Sequence, residues 1–353
     1  MQMQSISINM SQQRRAIYNN LKMVGLTEGG IIYGGMVRDE IIATYNKSLF
    51  DEFIKSMEPK PYNKFWDTSY HPESKKRVLI PEDMDIYFKN NDLANSFIEK
   101  LTTCANQYNG RVVVHNIPRT AGLFYVLGNN FSHKVIKIYF RIGRTITFIG
   151  HKIEVKIDLI INLTDQIIEP PFNCADFTSN LFVMENAFEG NYNIRMSLST
   201  GTPLDDMTFV AKHRLEMKII DDMIEGKTEF IRNVEHHNSE FINGSRILKM
   251  LIKPINNYQI TNLLFREIQL SHSTQTCDIC LDLISVDSRG PFIEIMTNKH
   301  ASNVMHKKCF IGYLTKEIAN KYRNNESGQI ECRCTRRNPF NFKNSYNFSS
   351  VYK

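Results

Sequence analysis

Five of the seven cysteines crowd the last quarter of the chain, at Cys277, Cys280, Cys309, Cys332 and Cys334. Cys277-x2-Cys280 can turn both thiolates onto one ion, and His306-x2-Cys309 completes a Cys3His set of the kind that holds zinc tetrahedrally. The 25 residues between the pairs suit a small ββα unit. The N-terminus shows no basic start followed by an apolar block, so no export signal is expected, and clustered cysteines then favour metal over disulfides. Buried free cysteines are the alternative. Cys332 and Cys334 form a C-x-C further on, and His300 lies six residues before His306. Cys104 and Cys174 are isolated and read as buried thiols.

A second group is acidic. "DMDIYF" alternates, so Asp83 and Asp85 face one side of a strand while Met84, Ile86 and Phe88 face the core. Asp158 in "VKIDLII" is set apart from Ile157 and Leu159 in the same way. Three carboxylates on neighbouring strands repel one another unless cations neutralise them. A pair of Mg²⁺ (or Mn²⁺) ions would do so, and phosphoryl transfer uses that arrangement. Upstream, "IIYGGMVRDEII" reads as a strand, the pair Gly34-Gly35, and a helix start. Glycines there let a phosphate approach the backbone at free N–H groups. Taken singly, the glycine pair also reads as a tight turn, and the D-x-D strand as a solvent-facing edge.

These groups need elements to position them. A helix is expected from Ser11 to about Met23, ended by Gly25 and Gly29-Gly30, then a strand at 31–33 and a helix from about Met36 to Tyr45. Residues 46–80, rich in Pro, Lys and aromatics, read as an inserted loop with one short helix at 48–57. A helix at about 92–106, a strand at 111–115 and long antiparallel strands at 134–141 and 145–161 follow. The first part is thus a mixed α/β domain, and residues 204–270 read as mostly helical. The fold class expected is α+β. With 353 residues, two or three domains are the default. A net charge of +6 suits a polyanionic partner without requiring one. No apolar run is long enough for a transmembrane helix, so no membrane partner and a cytoplasmic location are expected.

"GGMVRDEI" followed by "DMDIYF" resembles the DNA polymerase β-like nucleotidyltransferase superfamily, in particular the branch of CCA-adding enzymes and bacterial poly(A) polymerases. "CADFTSNLFVMEN" is similar to a second segment of that branch through Asp176, Phe177, Thr178 and Asn180. The resemblance implies that Asp83 and Asp85 hold the metals and that Asp158 is the third carboxylate. Gly34 and Gly35 would lie under the triphosphate of an NTP, supported by Arg38 and Asp39. Asp176 and Asn180 would lie near the sugar. Lys212 and Arg214, in the nearest equivalent of the base-selecting segment, could reach phosphates or form a solvated basic face. Two departures stand out: 47 residues separate Gly35 from Asp83, and Cys174 and Ala175 replace the branch's two arginines. The implied function is transfer of a nucleoside monophosphate to a hydroxyl, such as an RNA end.

The C-terminal order C-x2-C, H…H-x2-C, C-x-C resembles a RING-type zinc finger. That likeness implies a second zinc held by His300, Cys332 and Cys334, with no evident fourth ligand, and a ubiquitin-conjugating enzyme as partner, met through Ile279; it offers a second function, a ligase or adaptor whose first domain is non-catalytic. The layout expected is a nucleotidyltransferase-like domain at 11–200, a helical segment at 201–270, a RING-like zinc domain at 271–337 and a loose tail at 338–353. Such a fusion in an Asn-, Ile- and Lys-rich chain looks like a protein of a large cytoplasmic DNA virus.

Overall fold

The alternation in Asp83–Phe88 is realised as a central strand, and the rest of the first unit is arranged around it. The computed structural model describes residues 16–45, 69–70, 77–78, 83–117, 133–142, 153–164, 170, 175–187, 191–197, 208–231, 246–247, 250, 259–263, 265–268, 276–277, 279–284, 292–295 and 303–324. The chain divides into two compact units, one of residues 1–175 with 179–220, the other of 176–178 with 221–353.

The first unit is built on a mixed seven-stranded sheet. Its strands are β1 (Ile31–Tyr33), β4 (Asp83–Phe88), β5 (Arg111–Asn116), β6 (His133–Ile142), β7 (Ile153–Asn162), β8 (Phe182–Asn186) and β9 (Tyr192–Met196), in the order β5-β6-β7-β4-β1-β8-β9. Between β1 and β4, β2 (Ser69–Tyr70) and β3 (Arg77–Val78) form a separate two-residue antiparallel ladder inside the inserted segment. The β4–β7 pair is parallel, and the other pairs of the large sheet are antiparallel.

One face of this sheet is dry. Ile32, Met84, Ile86, Phe88, Ile157, Leu159, Ile136, Ile138 and Phe140 are buried there with Leu21, Phe97 and Leu101 from the helices. The Asn91–Gln107 helix buries Ala94, Phe97, Leu101 and Ala105, spaced to form a single stripe. The Asn90 side chain caps it, accepting from the Leu93 N–H at 3.0 Å. Phe97 meets Phe88 with ring centroids 5.3 Å apart.

The first helix, described over 16–27, runs through Gly25 rather than ending there. A side chain at 25 would come within 3.0 Å of Ile86, so glycine lets the helix lie close on the sheet. The helix stops at Gly29, whose φ of +79° permits the left-handed turn. The Gly30 and Gly29 N–H groups then reach back to the carbonyls of Gly25 and Leu26. The helix over Gly35–Tyr45 starts directly after β1 and buries Met36, Val37, Ile41 and Ile42. Residues 11–15 and the expected helix at 48–57 lie outside the described residues.

In the second unit, β10 (Lys227–Thr228) pairs in parallel with β11 (Gln259–Ile260). A three-stranded antiparallel sheet joins β12 (Phe265–Ile268), β13 (Phe292–Ile295) and β14 (Asn303–His306), and a helix over Lys307–Asn324 follows. Of the segment expected to be mostly helical, residues 209–224, 246–247 and 250 are helical, and much of the rest lies outside the described residues. The Phe209–Ile224 helix is present, but the division between units falls within it, and three short strands follow. Phe265 and Arg266 are strand residues because they pair with Ile295 and Glu294, partners that local periodicity cannot reveal.

Candidate functional site

The second unit holds the tightest constellation. Thr276 and Leu283 close a small antiparallel bridge. Inside it the Cys277 N–H donates to the Asp282 carbonyl at 2.9 Å and the Leu281 N–H to the Cys277 carbonyl at 2.8 Å. Leu281 takes a left-handed φ of +64°, which a leucine adopts only where the surroundings hold it. This turn aims the Cys277 and Cys280 thiols the same way. On the other side, His306 is the last residue of β14, opposite Phe292, and Cys309 lies in the first turn of the next helix. His306 Nδ1 is 3.4 Å from the Cys280 sulfur and 3.9 Å from that of Cys309.

The four ligand atoms of Cys277, Cys280, His306 and Cys309 all lie within 4.8 Å of one another. They are close enough together to hold a zinc ion, and three thiols with one imidazole are the donors zinc prefers. Burial pushes the Cys277 thiol up, but backbone N–H groups from Cys280, His306 and Ile279 outweigh it and bring it down to about 7. Cys309 is pushed up to about 12 by burial, by its contact with Cys280 and by the neighbouring thiolates. At Cys280 the Asp282 N–H lowers the thiol, but burial and hydrogen bonds with Cys277 and Asp282 leave it raised. One thiol is thus poised to ionise and two hold their protons, until a dication supplies the missing positive charge. The second expected set, His300, Cys332 and Cys334, lies outside the described residues.

In the first unit, strand register sets the carboxylates in a row. Asp85 is directly opposite Asp158 on parallel β7, and Tyr33 is opposite Asp85 on β1. Lys137 on β6 is opposite Asp158 and salt-bridges it, Nζ to Oδ2, at 3.4 Å. His115 on β5 completes the row. Asp83, one step along β4, is exposed, while Asp85 and Asp158 are half-buried. Among the described residues, no carboxylate group of three gathers its oxygens as closely as the Cys/His set does.

The glycine turn meets this row. Gly34 has a φ of +77°, and a Cβ there would sit 3.2 Å from Asp85 Oδ2. Gly35 opens the next helix, and the Arg38 N–H reaches the Gly34 carbonyl at 3.4 Å. Arg38 and Asp39 are both buried, and Arg38 Nε donates to Asp39 Oδ1 at 2.8 Å. They brace the helix start from within.

Tyr18, which the sequence reading did not single out, donates its hydroxyl to the Asp83 carbonyl at 2.6 Å. Burial, then the charges of Asp83, Asp39, Asp85 and Glu40, hold its phenol well above the usual range. It anchors the start of β4 while staying neutral. No local pattern marks Tyr18, whereas Lys137 could have been read from the alternation of "HKVIKIYF".

The remaining expected residues are spread out. Asp176 lies in the second unit, where Arg246 Nε approaches its carboxylate at 3.6 Å. Asn180 ends a short 3₁₀ turn, and its Oδ1 is buried without a hydrogen-bond partner among the described residues. Lys212 is half-buried and Arg214 exposed on the Phe209–Ile224 helix. Cys104 is half-buried rather than buried, and Cys174 lies outside the described residues.

No family model, curated protein or solved structure matches the chain. Fold and site define a mixed α+β protein with a candidate Cys3His metal centre. No helix among the described residues is long and apolar enough to cross a membrane.

Proposed function

We propose that the first unit is a metal-dependent nucleotidyltransferase of the polymerase β-like kind, moving a nucleoside monophosphate from an NTP to a hydroxyl such as an RNA end. The observation that carries this reading is the juxtaposition of the Gly34 turn, Asp85 and Asp158 along one cross-strand row. A turn without side chains beside two carboxylates leaves room for a triphosphate, and the carboxylates can hold its Mg²⁺ ions. Asp83, Asp85 and Asp158 would be their ligands. Divalent metal supplies charge neutralisation and an activated nucleophile when bound. The protein's own part is to fix the carboxylates on rigid strands, with Tyr18 and the Arg38–Asp39 pair holding the backbone around them.

The test is an NTP panel with Mg²⁺ or Mn²⁺ and labelled RNA, protein and small-molecule acceptors, run beside Asp85→Asn. Label transferred by the parent and not by the variant supports the reading. No transfer to any acceptor sinks it.

A second reading concerns the zinc unit. Leu281 and Leu283, on the turn that carries Cys280, are 75% and 59% exposed. Exposed leucines on a metal-braced turn favour a protein-docking module, as the RING likeness implies for a ubiquitin-conjugating enzyme. Ubiquitin discharge assays with the zinc-loaded chain and with Ile279→Ala test it. An unchanged discharge rate in the presence of the chain removes the ligase role.

A further inference from the structure

The carboxylate row is one of several parallel rows on the same sheet face, and its neighbours have a different chemistry. One step along lies Asp83–Lys156–Tyr139–Val113, and a further step gives Glu154–Arg141–Arg111. In the other direction the face closes into an apolar cluster of Ile31, Tyr87, Val135 and Ile160. The face is therefore sealed at one end and polar at the other.

The polar end is basic and aromatic. Arg111, His115 and Lys156 are exposed, and Tyr139 and Arg141 are half-buried. Arg141 is offset by Glu154 at 2.7 Å and Lys137 by Asp158 at 3.4 Å. Arg111 and Lys156 have no ion-pair partner among the described residues, and over β5, β6 and β7 the face carries Arg111, Lys137, Arg141 and Lys156 against the carboxylates Glu154 and Asp158, with Asp83 and Asp85 confined to β4. The Tyr139 ring is held edge-on to His115 with centroids 5.5 Å apart, and the Arg141 guanidinium lies 5.1 Å from its centroid. Among the described residues β5 is the sheet edge, with no further strand beside it.

We infer that this face, from the edge strand β5 to the carboxylate row, is a track for a single-stranded nucleic acid. Arg111 and Lys156 would take phosphates and the Tyr139–His115 pair would take a base. Unpaired cations flanking a fixed ring are what such a strand requires: sequence-independent phosphate attraction together with a stacking surface. An acidic peptide would use the cations but gain nothing from the ring, and a duplex could not present a base to it. Calling the strand an acceptor rests on the transfer reading above, because the track runs into Asp158. Binding to it does not.

The experiment measures anisotropy of a labelled oligouridylate on the full zinc-loaded chain, without NTP, across a salt series. Arg111→Ala with Lys156→Ala should weaken binding about tenfold and flatten the salt dependence by about 1.4 units of slope, since each of the two single-strand phosphate contacts contributes about 0.7. Tyr139→Leu should weaken binding about tenfold with an unchanged slope, and Tyr139→Phe should bind as the parent does. Thermal melting of each variant confirms that it is folded. Unchanged affinity and slope in the folded double variant would overturn the track. So would equal binding of polyglutamate, or of duplex RNA. Oligouridylate bound through these residues by a chain that transfers nothing would refute the transfer reading alone. Transfer that persists at the parent's acceptor KM in both variants would refute the track alone.

Discussion

Asp85 and Asp158 stand directly opposite each other on parallel neighbouring strands, with Lys137 as the cation beside them. In that geometry the proposed dication would relieve a repulsion on binding. Addition of Mn²⁺ should raise the melting temperature of the first unit, and Asp85→Asn or Asp158→Asn should abolish the rise. If transfer occurs, either change should reduce kcat by a thousandfold or more, because metal stabilisation of the transition state is worth several kcal/mol. A melting temperature insensitive to divalent ions would count against a metal there.

Gly34→Ala tests the turn. The residue needs a positive φ, and an added methyl would press on the Asp85 carboxylate. The expected cost is about 1–2 kcal/mol in stability. Metal stabilisation should weaken as well, because Asp85 must move. A variant with the parent's melting temperature and metal response would show that the turn has slack.

Zinc should be structural in the second unit. Its binding free energy becomes folding free energy, about 10–16 kcal/mol for structural zinc sites. A chelator, or Cys277→Ser, should abolish protection from hydrogen exchange across 276–324 and leave the large sheet protected. Retained protection after metal removal would contradict this.

Zinc loading should also release protons. The Cys309 and Cys280 thiols are raised and Cys277 lies at about 7. At neutral pH the thiols should release between two and three protons per zinc, approaching two above pH 8 as Cys277 ionises beforehand. Affinity should therefore fall as pH falls. Calorimetry in buffers of different ionisation enthalpy counts the protons, and a pH-independent affinity would be the contrary result.

Glu28 gives a prediction in acid. Hydrogen bonds from Lys100 and Ser96 hold its carboxyl below the ordinary range. A depressed folded pKa stabilises the fold above the unfolded value, about 4.3, and that contribution is lost as pH falls through the folded value. Glu28→Gln should be less stable than the parent at pH 6, and the gap should shrink below pH 4. Denaturant midpoints at the two pH values measure it.

Much of the site was legible because its signals are short-range. Period two put Asp83 and Asp85 on one face, the break at Gly34-Gly35 marked the strand-to-helix turn, and C-x2-C with H-x2-C named four residues that come together. Other features depend on distant partners. Nothing near Tyr18 announces that its hydroxyl reaches the Asp83 carbonyl. Residues 265–268 are apolar enough for either state, and the pairing of β12 with β13 makes them a strand. Gly25 looked like a helix terminator but is a contact point, a distinction that requires knowing that Ile86 lies beneath it.

The one parallel pair of the large sheet has a consequence for the order of events in folding. β6 with β7 and β8 with β9 join strands that are neighbours along the chain, so their loops close early and cheaply. β4 and β7 cannot meet until the Asn91–Gln107 helix and both β5 and β6 have been laid down between them. Asp85 and Asp158 become neighbours only when that long crossover is complete. A partly unfolded chain can therefore carry both carboxylates without their pairing, and the row exists only in the finished sheet.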